Sequence, residues 1–363
     1  MDVWQMLAAL SVVLLLSVSL VANLLVLLCY GASADLRKQV SGVFVLNLTC
    51  CNLLLTLLNM PLTVVGALRN DGSRPYGEGL CRAAAFLDSF LTTNAMLSTV
   101  GLGLDRWVAV LFPLSYDSKM RRRDAAVMIS YAWLHSLAFP SASLALSWLG
   151  YEPVYASCTL SPHAAPPGEE RATTANSSSF VAFTLVFHGL TFFLALVVLC
   201  LTYLKVLKVA RFHCKRIDII TMHTLILLVD IHPSVKERCL EEQRQRKQRA
   251  PRRVCTFIGT FALCFGPHVL TRLLELLPWV SVARPWGLFT KCLAYSKAAL
   301  DPFVYSLLQR QCRGVLEGLI NRLVRRDALP EPRKNGAPLP RLPYSGEPLG
   351  SDAGPSSLSP TPS

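Results

Sequence analysis

Residues 81–116 read CRAAAFLDSFLTTNAMLSTVGLGLDRWVAVLFPLSY. Between Arg82 and Asp105 the stretch is apolar or small except for Asp88, a few hydroxyls and Asn94, and it reads as one long helix. A helix turns about 100° per residue, so Asp88 and Arg106, 18 positions apart, share a face. At about 1.5 Å rise per residue they are separated by roughly 27 Å, close to the thickness of a bilayer's hydrocarbon core. The helix thus carries a cysteine at one end, a buried acid near it, and an Asp-Arg pair at the far end. An ionisable residue inside a membrane helix is expensive, and by default it marks function.

Working outward, apolar stretches at about 5–30, 42–68, 80–112, 124–148, 180–208, 254–277 and 286–308 are each long enough to span a membrane. The 363-residue chain is 52% hydrophobic and 16% charged, against about 25% charged in an ordinary soluble domain. The sequence therefore predicts an all-α membrane protein, a seven-helix transmembrane bundle over 1–308. Residues 309–326, with Leu316, Leu319, Ile320 and Leu323 on one face and arginine opposite, predict a short amphipathic helix along the membrane. From 327 to 363 Pro, Gly and Ser dominate, which predicts a disordered cytoplasmic tail.

The net charge of +13 sits in loops beside spans, so topology explains it and nucleic acid is not needed. Arg37 and Lys38, Lys119 and Arg121–Arg123, the basic run in 215–253, and Arg310, Arg313, Arg322, Arg325 and Arg326 alternate with loops carrying Glu78, Glu152, Glu169 and Glu170. The positive-inside rule then places the N-terminus outside and the C-terminus in the cytoplasm, as in a multi-pass plasma-membrane protein. Residues 1–28 lack a positive start and hold Asp2, so no cleaved leader is expected. Of twelve cysteines, only Cys81 and Cys158 fall at or in outer loops, where oxidation favours a disulfide between them.

Asp105-Arg106-Trp107, followed by Val110, Pro113-Leu114 and Tyr116, resembles the DRY-x-x-V-x-x-P-L-x-Y stretch of rhodopsin-like (class A) G-protein-coupled receptors. Asn23, LNLTCCNLL (46–54), Trp133, Tyr203, the Phe261, Cys264, Phe265, Pro267 set and Asp301-Pro302-Phe303-Val304-Tyr305 agree with that family in order and spacing. The resemblance covers about residues 10–325. It implies a receptor that activates heterotrimeric G proteins and has no catalytic chemistry and no cofactor. Span 6 would swing about Pro267, and Arg106 would leave Asp105 for contacts including Tyr203 and Tyr305. YLKVLKVARFHCKRID and AYSKAALDPFVYSLL resemble a small pair of orphan members, which implies stimulatory coupling and raised cyclic AMP.

The departures from the family pattern are themselves informative. Trp107 replaces the usual Tyr, Ala195 a span 5 proline, Phe265 the span 6 tryptophan and Asn52 the span 2 aspartate. Lys247 stands near where some members place an acid against the Arg of DRY, which points to high basal activity. Asp88 occupies the position where amine receptors hold an ammonium, with Tyr295, Thr92, His188, Thr191, Phe265 and His268 as further pocket candidates. Lys291 lies one turn before Tyr295 on the same face, so an internal Asp88–Lys291 bridge competes with an amine site and with a passive polar contact. In many members a sodium ion sits among residues that here are Asn52, Ala95, Lys297 and Asp301. Oxygen ligands are missing, no metal is expected, and Lys297 four residues before Asp301 would supply the cation.

Loops and tail add weaker signals. Asn176-Ser177-Ser178 is a glycosylation sequon on the outer side, close to the membrane. Residues 217–233 read either as an amphipathic helix on the inner face or as an extension of span 5. The basic run after them serves topology, G-protein contact or both. Cys312 is a palmitoylation candidate. Tail serines would suit receptor kinases and arrestin, or form a plain soluble spacer. The few residues before span 1 offer no outer domain, so an extracellular ligand, if there is one, would be a small molecule. Two other readings weigh against the receptor. A transporter would use Asp88, Lys291, Lys297 and Asp301 as a path, yet the internal repeats usual in transporters are missing. A retinal pigment fails because its lysine would fall at Tyr295.

Overall fold

The computed structural model describes residues 3–69, 75–161, 173–227, 256–307 and 309–327. Among them the helices that make up the bundle follow one another along the chain. Span 1 is Val3–Ala32, and a short helix Ala34–Lys38 follows it, capped by the Ser33 hydroxyl, which accepts from the Leu36 N–H. Span 2 is Val40–Leu58 continued by Met60–Leu68. The break at Asn59 precedes Pro61, whose ring removes a backbone donor. Span 3 is Glu78–Leu111 and span 4 is Arg122–Ala145. Span 5 runs as Thr173–His188, a π-helical turn Gly189–Phe193, and Leu194–Leu227. Span 6 is Thr256–Leu274; span 7 is Arg284–Pro302 with a π-helical turn Phe303–Leu307. A last helix covers Arg310–Asp327. Contacts divide the chain into Met1–Leu319, the bundle, and Ile320–Ser363, of which only the end of that last helix is described.

The stretch that decides the fold is not helical throughout. The helix stops at Leu111; Phe112 leaves the helical region, Pro113–Ser115 form a 3-10 turn and Tyr116–Lys119 a further helical turn. Proline disfavours the helical conformation of the residue before it, which accounts for the break at Phe112. Span 5 continues as helix to Leu227, so residues 217–227 extend it; 228–233, Lys247 and the tail from 328 lie outside the described residues.

Among the described residues, four helices are long and apolar enough to cross a membrane by composition alone: Val3–Ala32, Val40–Leu68, Ser178–Val209 and Thr256–Leu274. Spans 3 and 7 are more polar, and their polarity is turned inward. Asp88, Asn94 and Asp105 on span 3 and Lys291, Lys297 and Asp301 on span 7 are all buried. Exposed positions are apolar instead, for example Leu10, Leu14 and Val21 on span 1 and Leu134 on span 4, as a lipid-facing surface requires.

Span 3 is central, packing on spans 2, 4 and 5, while span 1 packs on spans 2 and 7. Polar groups fasten the seams. Asn47 Nδ2 donates to Asn94 Oδ1 at 2.7 Å and to Ser98 Oγ at 2.8 Å, and Trp133 Nε1 donates to Asn47 Oδ1 at 3.0 Å, joining spans 2, 3 and 4. Asn23 Nδ2 donates to the Ala298 carbonyl at 3.0 Å, joining spans 1 and 7. Away from water such bonds act as glue between helices.

Between spans 4 and 5 the chain forms a hairpin, β1 Leu149–Glu152 paired antiparallel with β2 Ser157–Leu160, in the register Leu149 to Leu160 and Glu152 to Ser157. A disulfide joins Cys158 on β2 to Cys81 at the start of span 3.

Candidate functional site

Three levels of the bundle carry functional side chains: the disulfide end, the middle and the Arg106 end. At the disulfide end all eight pocket candidates line one cavity of about 70 Å³. Asp88 and Thr92 come from span 3, His188 and Thr191 from span 5, Phe265 and His268 from span 6, Lys291 and Tyr295 from span 7. Helical spacing brings them together, since positions three and four apart share a face. Lys291 Nζ stands 2.7 Å from Asp88 Oδ2. Tyr295 Oη lies 3.5 Å from Asp88 Oδ1 and 2.9 Å from Thr63 Oγ1. The ammonium also sits 4.9 Å from the Tyr295 ring centroid. Of the three arrangements open for Asp88, the geometry is that of an internal ion pair. The cavity is far smaller than the roughly 300–1,000 Å³ that encloses a drug-sized ligand.

Several side chains at this end are not among the candidates read from the sequence. Arg272, buried on span 6, donates from Nη1 to Glu275 Oε2 at 2.7 Å and from Nη2 to the Leu160 carbonyl of β2. Its guanidinium lies 5.1 Å from the Tyr155 ring centroid. Thr159 and Leu160 roof the cavity. An arginine four residues past His268 in an apolar run was the available cue for Arg272. Tyr155 carried none, because loop composition does not report burial.

In the middle, Lys297 and Asp301 form a contact ion pair within span 7, with both side chains 2% exposed. Asn52 Nδ2 donates to Asp301 Oδ2 at 3.2 Å. The ammonium also faces the rings of Tyr305, 5.2 Å to the centroid, and Phe265, 6.0 Å. Ala95 is buried in the apolar core. Three of the four positions suggested for the altered ion site thus converge, and the charge of the pair is balanced within the protein. Phe261, fully buried, stacks on Phe192 and meets Phe265 edge-on above this level. Pro267 leaves its carbonyl to the Thr271 hydroxyl, which donates to it at 2.7 Å.

At the Arg106 end, Tyr116 donates its hydroxyl hydrogen bond to Asp105 Oδ1 at 2.6 Å. No ion pair joins Asp105 to Arg106 among the described residues, so Asp105 is held by Tyr116 and not by its neighbour. Burial, then the bond to Asp105 and its charge, push the Tyr116 phenol upward, keeping it a neutral donor. Tyr203 stacks on Phe257 with centroids 5.2 Å apart, and Phe257 meets Tyr305 at 5.0 Å, linking spans 5, 6 and 7. Lys205 lies over the Trp107 ring at 5.5 Å. Span 7 leaves α-helical geometry after Pro302.

Two modification candidates are placed as follows. The Asn176 backbone lies in the helix Thr173–His188. Cys312 is buried, the Cys29 thiol donates to its carbonyl at 3.8 Å, and burial pushes the Cys312 thiol up to about 12. A thiol so placed must turn outward before it can be acylated.

This layout, a seven-helix bundle tied by a disulfide at one end and carrying Asp-Arg-Trp and Asp-Pro-x-x-Tyr at the other, is that of a membrane receptor, and residues 22–305 match the family described as 7 transmembrane receptor (rhodopsin family). The chain belongs to that family. It is 58% identical to human G-protein coupled receptor 26 over 314 residues, 86% of this chain and 90% of that protein. It is 48% identical to human G-protein coupled receptor 78 over 318 residues, 88% of this chain and 85% of the other. It is 24% identical to the human histamine H2 receptor over 300 residues, 82% and 75% of the two chains. The chain is therefore a G-protein-coupled receptor, a multi-pass membrane protein whose partner is a heterotrimeric G protein and which is not an enzyme. Family membership sets aside the transporter reading of Asp88, Lys291, Lys297 and Asp301.

Proposed function

We propose that this receptor signals through a stimulatory G protein with high activity in the absence of added ligand, its pocket satisfied by its own Lys291. The observation that carries this reading is the 2.7 Å contact between Lys291 and Asp88. A ligand biases a receptor only through contacts that differ between its states. An ammonium supplied by span 7 can make the contact with span 3 that an amine would otherwise bring. A buried charge pair of this kind also excludes an incoming amine, because displacing Lys291 leaves its charge unpaired in a dry site.

The middle of the bundle supports the same reading. Lys297 supplies a cation to Asp301 where family members bind sodium in their inactive state, so that brake is lost. Charge placement supports a disulfide end outside the cell, an Arg106 end and C-terminus in the cytoplasm, and residence at the plasma membrane. The serine-rich tail suits receptor kinases and arrestin. Cyclic AMP in cells carrying graded surface levels of receptor, with no ligand added, tests the proposal. A rise proportional to surface receptor supports it; cyclic AMP that stays at the level of untransfected cells at every dose sinks it.

A further inference from the structure

A loop at a membrane protein's aqueous end is expected to run over the surface. The tip of the hairpin does not. Tyr155, between β1 and β2, is 0% exposed and heads the bulkiest fully buried side chains among the described residues. Two successive turns close the tip, Tyr155 N–H to the Glu152 carbonyl and Ala156 N–H to the Pro153 carbonyl, both 3.2 Å. Ala156 then takes a left-handed φ of 49°, a conformation that a residue with a Cβ adopts only when its surroundings enforce it.

Those surroundings come from three spans. On span 2, Gly66 lies so close to the Ala156 carbonyl that a Cβ there would overlap it. On span 7, a Cβ at Gly287 would reach within 2.5 Å of the Val154 carbonyl oxygen and collide with the Val154 side chain. On span 6, the Tyr155 ring meets His268 edge-on at 5.1 Å and lies under the Arg272 guanidinium. Arg272 also holds the Leu160 carbonyl, and Cys158 is bonded to Cys81. The hairpin is thus bolted to span 3 at one side and to spans 2, 6 and 7 at the other. Its second strand lies across the cavity that contains Asp88 and Lys291, with Thr159 and Leu160 as the roof.

We propose that the Val154-Tyr155-Ala156 tip is a resident occupant of the receptor's mouth: docked, it seals the cavity and couples span 6 to span 3 through Arg272 in the way a bound ligand would. This deepens the reading of a receptor active without ligand and rests on the same outward placement of the disulfide end. The tip bears on the cavity through the Tyr155 ring, which packs on the lining residues His268 and Arg272. The coupling runs through the two Arg272 contacts that cross to the hairpin, the Tyr155 ring and the Leu160 carbonyl. The tip is tethered, so its effective concentration at the site is set by the hairpin and not by the medium. Undocking opens the cavity and removes the tie on span 6 together.

The test uses a reporter cysteine at Ser89, which lines the cavity, in the full-length receptor on intact cells. Its rate of labelling by a charged, membrane-impermeant methanethiosulfonate reagent is measured against the receptor without the reporter. Basal cyclic AMP per surface receptor is measured in parallel. Tyr155→Ala removes the docked ring, and Gly287→Val fills the space taken by Val154. Tyr155→Phe keeps the ring and serves as the conservative control. Labelling at least tenfold faster in Tyr155→Ala and Gly287→Val than in Tyr155→Phe and the parent, with basal output per receptor at least threefold lower, is the expected result. Equal labelling rates in all four overturn the seal. Faster labelling with unchanged output overturns the ligand role. A parent receptor that is silent at every expression level, yet shows the labelling difference, overturns the basal-activity reading and the ligand role and leaves the seal standing.

Discussion

Lys291 on span 7 and Asp88 on span 3 meet at 2.7 Å with side chains only 4% and 12% exposed, although 203 residues separate them in sequence. Breaking such a pair from one side leaves a bare charge in a low-dielectric site and costs about 3–5 kcal/mol, whereas removing both partners costs far less. Asp88→Asn and Lys291→Gln should therefore each lower the thermal stability of detergent-purified receptor and change its basal signalling, and the double variant should be distinctly non-additive. Thermal unfolding and cyclic AMP at matched surface expression read this cycle. Additive or silent effects would mean that the two groups are not energetically paired.

The Arg106 end makes a separate prediction. Arg106 has no ion-pair partner in Asp105, which Tyr116 holds at 2.6 Å. Arg106→Ala should abolish G-protein activation and leave delivery to the cell surface largely intact, because Asp105 keeps its hydrogen bond from Tyr116. Tyr116→Phe should weaken the hold on Asp105 and change basal output by a smaller factor. Surface labelling with a cyclic AMP readout checks both; signalling that persists in Arg106→Ala shows that the Asp-Arg-Trp segment does not act as its resemblance implies.

The Cys81–Cys158 bridge closes a sequence separation of 77 residues. On the chain-entropy view a loop of that size gains roughly 4 kcal/mol from cross-linking. Cys81→Ser and Cys158→Ser should each cut surface expression severely, and the double variant should be no worse than either single. Peptide mapping without reductant should recover the linked pair from folded surface receptor. Finding both thiols free and alkylated there would remove the tie that positions β2.

A fourth prediction concerns the Lys297–Asp301 pair. An ammonium beside Asp301 repels sodium and leaves the pair neutral without it. Basal nucleotide exchange in membranes should be flat across a sodium titration at constant ionic strength, with potassium or choline as replacement. Asn52→Asp, Ala95→Ser and Lys297→Asn together should create sodium sensitivity. A sodium-specific inhibition of the unmodified receptor would show that Lys297 does not occupy the ion's place.

Much of this architecture was legible in the chain. Helical spacing put Asp88 on one face with Arg106, and Lys291 with Tyr295, while the resemblance to the receptor family pointed to the pocket, whose eight candidates line one cavity. The parts that escaped depend on tertiary context. Phe112 breaks the decisive helix because Pro113 follows it, a local rule outweighed in the reading by an unbroken apolar run. Arg272 was hidden inside span 6, because a satisfied buried arginine looks no different in sequence from an arginine near a helix end. Tyr155 sits in GYEPVYASC, a segment of turn-like composition, and nothing in that wording says that Gly66 and Gly287 clear a berth for it. Burial of a loop is decided by its distant neighbours and not by its own pattern.

The claim on which the rest depends is that this receptor drives nucleotide exchange unaided. The direct measurement is GTP analogue uptake by purified stimulatory heterotrimer, with the extensively washed full-length receptor in lipid nanodiscs and no ligand added. Exchange that rises with receptor concentration, falls to the spontaneous rate with Arg106→Ala, and is weaker on inhibitory heterotrimer is the predicted result. Exchange no faster than that of the heterotrimer alone at every receptor concentration would contradict it.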